Sequence, residues 1–122
     1  MTFRNLMILT MVSTSVFGAG FVIAPVPFAS LLGLTLSPTA ELIARQYGSA
    51  LVGIGLLAWS VRNSQDETIQ RPFLLSLFVT DFGGFIFMLL AQLSGLMNPL
   101  GWSVVGVLGL LTAAYAYLRF MK

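Results

Sequence analysis

The sequence predicts an all-α integral membrane protein, built as a bundle of four transmembrane helices. Of its 122 residues, 57% are hydrophobic and only 8% are charged, with a mean hydropathy of +0.94. A soluble domain carries about a quarter charged residues, so this chain has too little polar surface for water. Four apolar runs each reach the roughly 20 residues that a membrane-spanning helix needs. The whole chain, 1–122, is therefore predicted to be a single transmembrane domain.

Prolines and capping residues place the first two spans. The first, about 5–24, ends before Pro25, because proline lacks the N–H group that would continue a helix. The second, about 39–61, follows Ser37 and Pro38. A serine suits the capping position, and a proline suits the first helical turn.

The same logic places the remaining spans and the linker between the two halves of the chain. The third span, about 72–94, is predicted to begin at Pro72. The fourth, about 99–120, is predicted to open with Pro99. The intervening stretch 62–71 is the most hydrophilic part of the sequence, and we expect it to be a short cytoplasmic linker.

The basic residues predict that the N and C termini are both cytoplasmic. Short cytoplasmic loops retain Lys and Arg, whereas translocated loops lack them. Loops 24–36 and 94–100 contain neither residue. The opposite side carries five: Arg4, Arg62, Arg71, Arg119 and Lys122. An alternative, a cleaved signal peptide at the N-terminus, is disfavoured because the apolar run continues past the small residues that would mark a cleavage site.

The residues that the chain lacks exclude several chemistries. There is no Cys and no His. Their absence removes thiol chemistry, the commonest transition-metal ligands and the usual general base near neutral pH. The net charge of +2 comes from scattered groups, which does not suit nucleic acid. We therefore expect no metal, no cofactor, no nucleic-acid partner and no catalytic residue, and we predict that the protein is not an enzyme.

Asp81 is the most informative residue inside a predicted span. Counting about 1.5 Å per residue from Pro72 places it roughly 13 Å deep, where an ionisable group costs at least about 2.5 kcal/mol. Hydroxyl groups at the same depth predict an intramembrane polar cluster of Asp81, Ser13, Thr112 and Tyr115. The cluster has three interpretations: a structural tie between helices, a proton or cation relay, or the polar anchor of a lipophilic ligand pocket.

A second polar group is predicted near the outer interface. It comprises Glu41, Arg45, Gln46 and Gln92. Helical side chains lean toward their own N-terminus, so we expect Arg45 to pair with Glu41 in the favourable i,i+4 order. A pair between Arg45 and Asp81 is the alternative, disfavoured by their different depths. If the four residues converge, the resulting cleft would suit a small polar headgroup.

Small residues predict where helices pack, because lipid provides no hydrophobic drive and backbones must approach closely. The candidates are Ala44, Gly48, Ser49, Gly53, Gly83, Gly84, Gly109 and Ala113. They are compatible with packing inside one bundle and with an interface to a second copy or a partner.

Two segments carry a resemblance to a known group. ARQYGSALVGIGLLAW, from Ala44 to Trp59, and QLSGLMNPLGWS, from Gln92 to Ser103, resemble small bacterial four-span membrane proteins of unknown function that are loosely similar to the DoxX-like group. The resemblance implies a multi-pass protein of the bacterial cytoplasmic (inner) membrane, and it transfers no catalytic residue.

The leading hypothesis is a non-enzymatic bundle in the lipid bilayer that associates with itself or serves as an accessory subunit of a larger membrane complex. One alternative is a proton-coupled or small-solute transporter or channel centred on Asp81. A second alternative is a protein that binds a lipophilic ligand or lipid.

Overall fold

The computed structural model describes residues 2–121, in which α-helices are joined by short loops. The elements are α1 (Phe3–Ile23), α2 (Pro25–Ser30), α3 (Pro38–Val61), α4 (Glu67–Leu93) and α5 (Gly101–Ala116), which continues into a π-helical turn (Tyr117–Met121). Four of them, α1, α3, α4 and α5 with its π-helical turn, are long and apolar enough to cross a membrane. The predicted all-α architecture with four membrane-length helices is thus confirmed for residues 2–121. Lys122, used in the orientation argument, lies outside the described residues.

Helix α4 begins at Glu67, so the predicted start at Pro72 was wrong. Asp66 caps the helix: its Oδ1 accepts hydrogen bonds from the Thr68 backbone N–H at 2.9 Å and from the Thr68 hydroxyl at 2.7 Å. Pro72 lies inside the helix, close to its start, where it removes only one backbone hydrogen bond. The hydrophilic linker therefore shrinks from the predicted 62–71 to 62–66.

The loop after α1 contains an additional short helix, α2, that the sequence did not predict. Pro25 ends α1, and it also occupies the first turn of α2, where a missing N–H is harmless. Phe28 folds α2 back onto α1 through edge-on contacts with Phe17 and Phe21, at centroid distances of 5.7 and 4.9 Å. The fourth span likewise begins slightly later than predicted, at Gly101, because Pro99 lies in the preceding turn.

The four long helices form two antiparallel pairs. In the first pair, α1 and α3 touch backbone to backbone: a Cβ atom added to Gly48 would lie 2.6 Å from the Gly18 carbonyl oxygen. In the second pair, α4 and α5 meet through a side chain: the Phe85 ring would lie 3.0 Å from a Cβ atom on Gly109.

The two pairs join at both ends of the bundle. At the end where α1 begins, which we term the core end, all four long helices contribute buried apolar side chains: Phe3, Leu6, Met7, Ala58, Leu74, Leu77, Leu111, Tyr115 and Leu118. At the opposite end, the loop end, the Asn98 backbone N–H donates to the Leu32 carbonyl, and the Asn98 side-chain amide donates to the Leu31 carbonyl, both at 2.9 Å. Both ends of the described chain lie at the core end.

Candidate functional site

Asp81 lies near the middle of α4 and is half-buried. No side chain among residues 2–121 hydrogen-bonds to its carboxylate, and the ion pair found in that range joins other residues. The alternative pair of Asp81 with Arg45 is thus not formed. Asp81 does lie within electrostatic range of the phenol groups of Tyr47 and Tyr115. It is an ionisable group near the middle of a helix of membrane length, without a hydrogen-bond partner in residues 2–121.

The predicted polar cluster is not assembled around Asp81. Tyr115 bonds instead to Thr10, with the two hydroxyl oxygens 2.6 Å apart. Ser13 donates to the Leu9 carbonyl at 2.9 Å, and Thr112 donates to the Leu108 carbonyl at 2.7 Å. The hydroxyl of a helical Ser or Thr can donate to the carbonyl four residues earlier. This local bond uses the hydrogen that Ser13 or Thr112 would otherwise donate to Asp81.

The donor in the hydrogen bond between Tyr115 and Thr10 can be assigned. Thr10 is completely buried, Tyr115 is 1% exposed, and the Thr10 hydroxyl donates its single hydrogen to the Leu6 carbonyl at 2.8 Å. Tyr115 must therefore be the donor to Thr10. Thr10 is not among the predicted site residues, although it shares a helix face with Phe3, Leu6 and Met7. That spacing identifies it as a residue of the buried face.

The predicted outer rim divides between the two helix pairs. Arg45 pairs with Glu41 as expected, with Nη2 and Oε1 3.5 Å apart, and its Nη1 also donates to the Val22 carbonyl at 2.7 Å. Gln92 lies on α4 and donates to the Asn98 carbonyl at 3.2 Å. Gln46 is exposed on α3 and has no hydrogen-bond partner in the described chain. Among the described residues, no hydrogen bond therefore joins Glu41 and Arg45 on α3 to Gln92 on α4, and the predicted headgroup cleft is not assembled.

The predicted packing residues occupy two kinds of position. Gly48 is enclosed by α1, Gly109 faces Phe85, and Gly84 is in van der Waals contact with Leu108. By contrast, a Cβ atom on Gly53 or Gly83 would meet nothing within 4 Å. The remaining three residues are not fully buried: Ala44 is half-buried, and Ser49 and Ala113 are exposed.

The exposed face of α3, opposite α1, carries a row of small and polar residues that we term the α3 stripe. Its members are Gln46, Ser49, Ala50, Gly53 and Ser60. Their spacing of three, four and seven residues puts them on one side of the helix. The sequence analysis missed Ala50 and Ser60, since helical spacing alone does not say which face the neighbouring helix covers.

The fold defines a class, the multi-pass membrane proteins with four helices of membrane length. Comparison of the chain with protein-family models, with curated proteins and with solved structures found no match. The function must therefore be argued from the residues themselves.

Proposed function

We propose that the protein is a non-enzymatic membrane bundle that associates with itself through the α3 stripe. The observation that carries the proposal is an exposed row of small and polar residues, interrupted by Leu57, on the side of α3 that does not pack against α1. Ser49 and Gly53 are four residues apart and exposed, and nothing lies within 4 Å of the open position at Gly53.

Lipid physics favours covering this surface with protein. Small residues four apart let two helices approach closely, which gains van der Waals contact that lipid chains do not supply. Gln46 carries two donors and an acceptor, and hydrogen bonds between polar side chains in membranes contribute about 0.6 kcal/mol on average. In a two-fold symmetric dimer the same stripe from each copy meets itself, so the Gln46 side chains lie at equal depth and can pair.

The proposal includes the membrane and the orientation. Arg4, Arg62, Arg71 and Arg119 all lie at the core end, and the loops at the loop end carry no Lys or Arg. This asymmetry supports an orientation in which the core end, and with it both ends of the described chain, lies in the cytoplasm. The resemblance to DoxX-like proteins supports the bacterial cytoplasmic membrane as the location.

The test counts subunits in nanodiscs or bicelles over a range of protein-to-lipid ratios, by single-molecule photobleaching or energy transfer. Gly53→Ile fills the stripe, and we expect it to weaken association by about tenfold or more, the effect of losing a few close helix contacts. Gly106→Ile is the matched control, because Gly106 on α5 is also exposed with nothing within 4 Å of an added Cβ atom. Gln46→Leu tests the polar part of the stripe.

Two results would contradict the proposal. One is a parent protein that stays monomeric at every ratio. The other is a Gly53→Ile variant that associates as strongly as the parent and the Gly106→Ile control.

A second candidate function is favoured by Asp81, an ionisable residue in mid-helix without a hydrogen-bond partner in residues 2–121. Such groups commonly mark a proton or ion path. The test is proton or cation flux in proteoliposomes, comparing Asp81→Asn with the parent. Transport centred on this carboxylate predicts parent flux above that of empty liposomes and loss of most of it in the variant, and equal flux in both would end the idea.

A further inference from the structure

An open cavity of about 340 Å³ lies at the core end, between the start of α1 and the linker from α3 to α4. Its lining includes Thr2, Arg4, Arg62, Asn63, Ser64 and Gln70. Two of these residues are cationic, and none of the lining residues is a carboxylate. The cavity is therefore positively charged and rich in hydrogen-bond donors.

Arg62 is held in place with donors to spare. Its guanidinium stacks on the Trp59 ring at 3.5 Å from the ring centroid, and its Nη1 donates to the Trp59 carbonyl at 2.6 Å. Its Nε is buried and has no partner within the described chain. A buried charged donor without an acceptor is unfavourable, so an anion at this position would remove a penalty as well as add an attraction.

Arg4 faces the same cavity from the first turn of α1. Its Nε donates to Asn63 Oδ1 at 3.0 Å, which fixes the guanidinium and leaves both terminal nitrogens available. The Thr2 hydroxyl caps α1 by accepting from the Asn5 N–H at 3.2 Å. The backbone N–H groups of Phe3 and Arg4 have no acceptor within the helix, and the positive end of the helix dipole adds to the attraction for an anion.

Asp66, the carboxylate of the linker, forms no ion pair with Arg4 or Arg62 among residues 2–121. Its Oδ1 instead accepts hydrogen bonds from the Thr68 hydroxyl and backbone N–H, which lower the pKa of its carboxyl group. Gln70 donates to the Ser64 carbonyl at 2.7 Å and so shapes the cavity wall. The two arginines therefore remain free to bind an anion from outside the chain.

An apolar hollow of about 440 Å³ lies next along α1, lined by Asn5, Ile8, Leu9 and Val12. Leu9 and Val12 are 47% and 50% exposed, on the helix side that faces lipid. The hollow and the Arg4 and Arg62 cavity share no lining residue, so a ligand that reached both would have to run along the exposed side of α1.

We propose that the Arg4 and Arg62 cavity binds the phosphate of an anionic phospholipid, whose acyl chain runs along the exposed side of α1. Trp59 and Arg62 at the end of α3 suit the depth at which lipid phosphates lie. Basic pockets between helices at this depth recognise lipid headgroups, and the planar guanidinium fork suits phosphate oxygens.

Native mass spectrometry of the full-length protein tests the proposal. The protein is titrated with dioleoyl phosphatidylglycerol, with dioleoyl phosphatidylcholine, which has the same chains and a zwitterionic head, and with inorganic phosphate. We expect about tenfold tighter binding of phosphatidylglycerol than of phosphatidylcholine, consistent with one or two added charge-assisted contacts. The monomer peak is read, so the result does not depend on self-association.

Arginine variants locate the site. Arg62→Gln and Arg4→Gln should each weaken phosphatidylglycerol binding by about fivefold or more, and Arg62→Lys should recover only part of it, because lysine lacks the bidentate fork. Arg71→Gln is the matched control, an exposed arginine at the same end that does not line the cavity. Circular dichroism and size-exclusion chromatography report whether each variant is folded.

Three outcomes would overturn the proposal. The first is equal binding of the two lipids, and the second is equal weakening by Arg71→Gln and Arg62→Gln. The third is full displacement of phosphatidylglycerol by millimolar inorganic phosphate, which would assign the cavity to a free anion.

Discussion

The two helix pairs pack differently: α1 and α3 meet through their backbones, and α4 and α5 meet through a side chain. In α1 and α3, Gly18 and Gly48 bring two backbones together, and an added Cβ atom on either glycine would lie within 2.7 Å of a carbonyl oxygen of the other helix. In α4 and α5, the contacts at the glycines are made by side chains, such as the Phe85 ring that rests over Gly109. A backbone cannot move aside without moving its helix, whereas a ring can rotate. The first pair is therefore rigidly specified, and the second can adapt.

The largest expected effect breaks the first pair. Gly48→Val places a branched side chain against the Gly18 carbonyl, and we expect it to lower the free energy of unfolding by about 3 kcal/mol or more, the upper range for overpacking. Unfolding by sodium dodecyl sulfate in mixed micelles measures the change. Gly53→Val, the same substitution on the open face of the same helix, is the control and should leave the monomer's stability nearly unchanged.

The next effect tests the bond that joins the two pairs at the core end. Thr10→Val leaves the buried Tyr115 hydroxyl without an acceptor, and we expect a loss of about 1–3 kcal/mol. Tyr115→Phe removes the donor but leaves Thr10 bonded to the Leu6 carbonyl, so the expected loss is smaller, about 1 kcal/mol. The same unfolding measurement separates them. Equal losses would contradict the assignment of Tyr115 as the donor and Thr10 as the acceptor.

A smaller effect is expected in the second pair, α4 and α5. Gly109→Ala brings a methyl group 3.0 Å from the Phe85 ring, a contact that a small ring rotation relieves. We expect a change in stability below about 1 kcal/mol, since helix propensity favours alanine and partly offsets the contact. A loss as large as that from Gly48→Ala would show that the two pairs are equally rigid.

The smallest effect concerns the linker that connects the pairs. Hydrogen bonds from the Thr68 hydroxyl and N–H lower the pKa of Asp66 below its usual 3.8. A lowered folded-state pKa contributes stability that is present above pH 3.8 and is lost as the pH falls through the lower folded value. Hydrogen exchange at the Thr68 amide should therefore accelerate, relative to the intrinsic rate, in acid. Asp66→Asn should flatten this dependence, and an unchanged profile would assign it to another group.

The sequence predicted the features that depend on composition and on local spacing. Hydropathy alone locates the four long helices, and the i,i+4 rule alone identifies the pair of Glu41 and Arg45. The predicted start of α4 rests on Pro72 and is wrong, because the Asp66 cap lies earlier in the chain and determines where the helix begins. Capping by a side chain outweighs one lost hydrogen bond at Pro72.

The candidate sites were harder to predict, because depth in the membrane does not determine direction around a helix. Ser13 and Thr10 lie at similar depths on α1, but only Thr10 shares the buried face that meets Tyr115. Likewise, Gly48 and Gly53 are alike in sequence, and only the position of α1 distinguishes the filled face from the open one. The cavity between Arg4 and Arg62 is formed by residues far apart in the chain, so no local sequence pattern predicts it.

The pairing of neighbouring spans has a consequence for synthesis. The interface with backbone contact joins α1 to α3, which leave the ribosome before α4 and α5, and α4 pairs with α5. Each hairpin can therefore be completed as it enters the bilayer, without waiting for a later segment. The short stretch 62–66 then holds two finished hairpins close together, and maturation reduces to a single docking step between them.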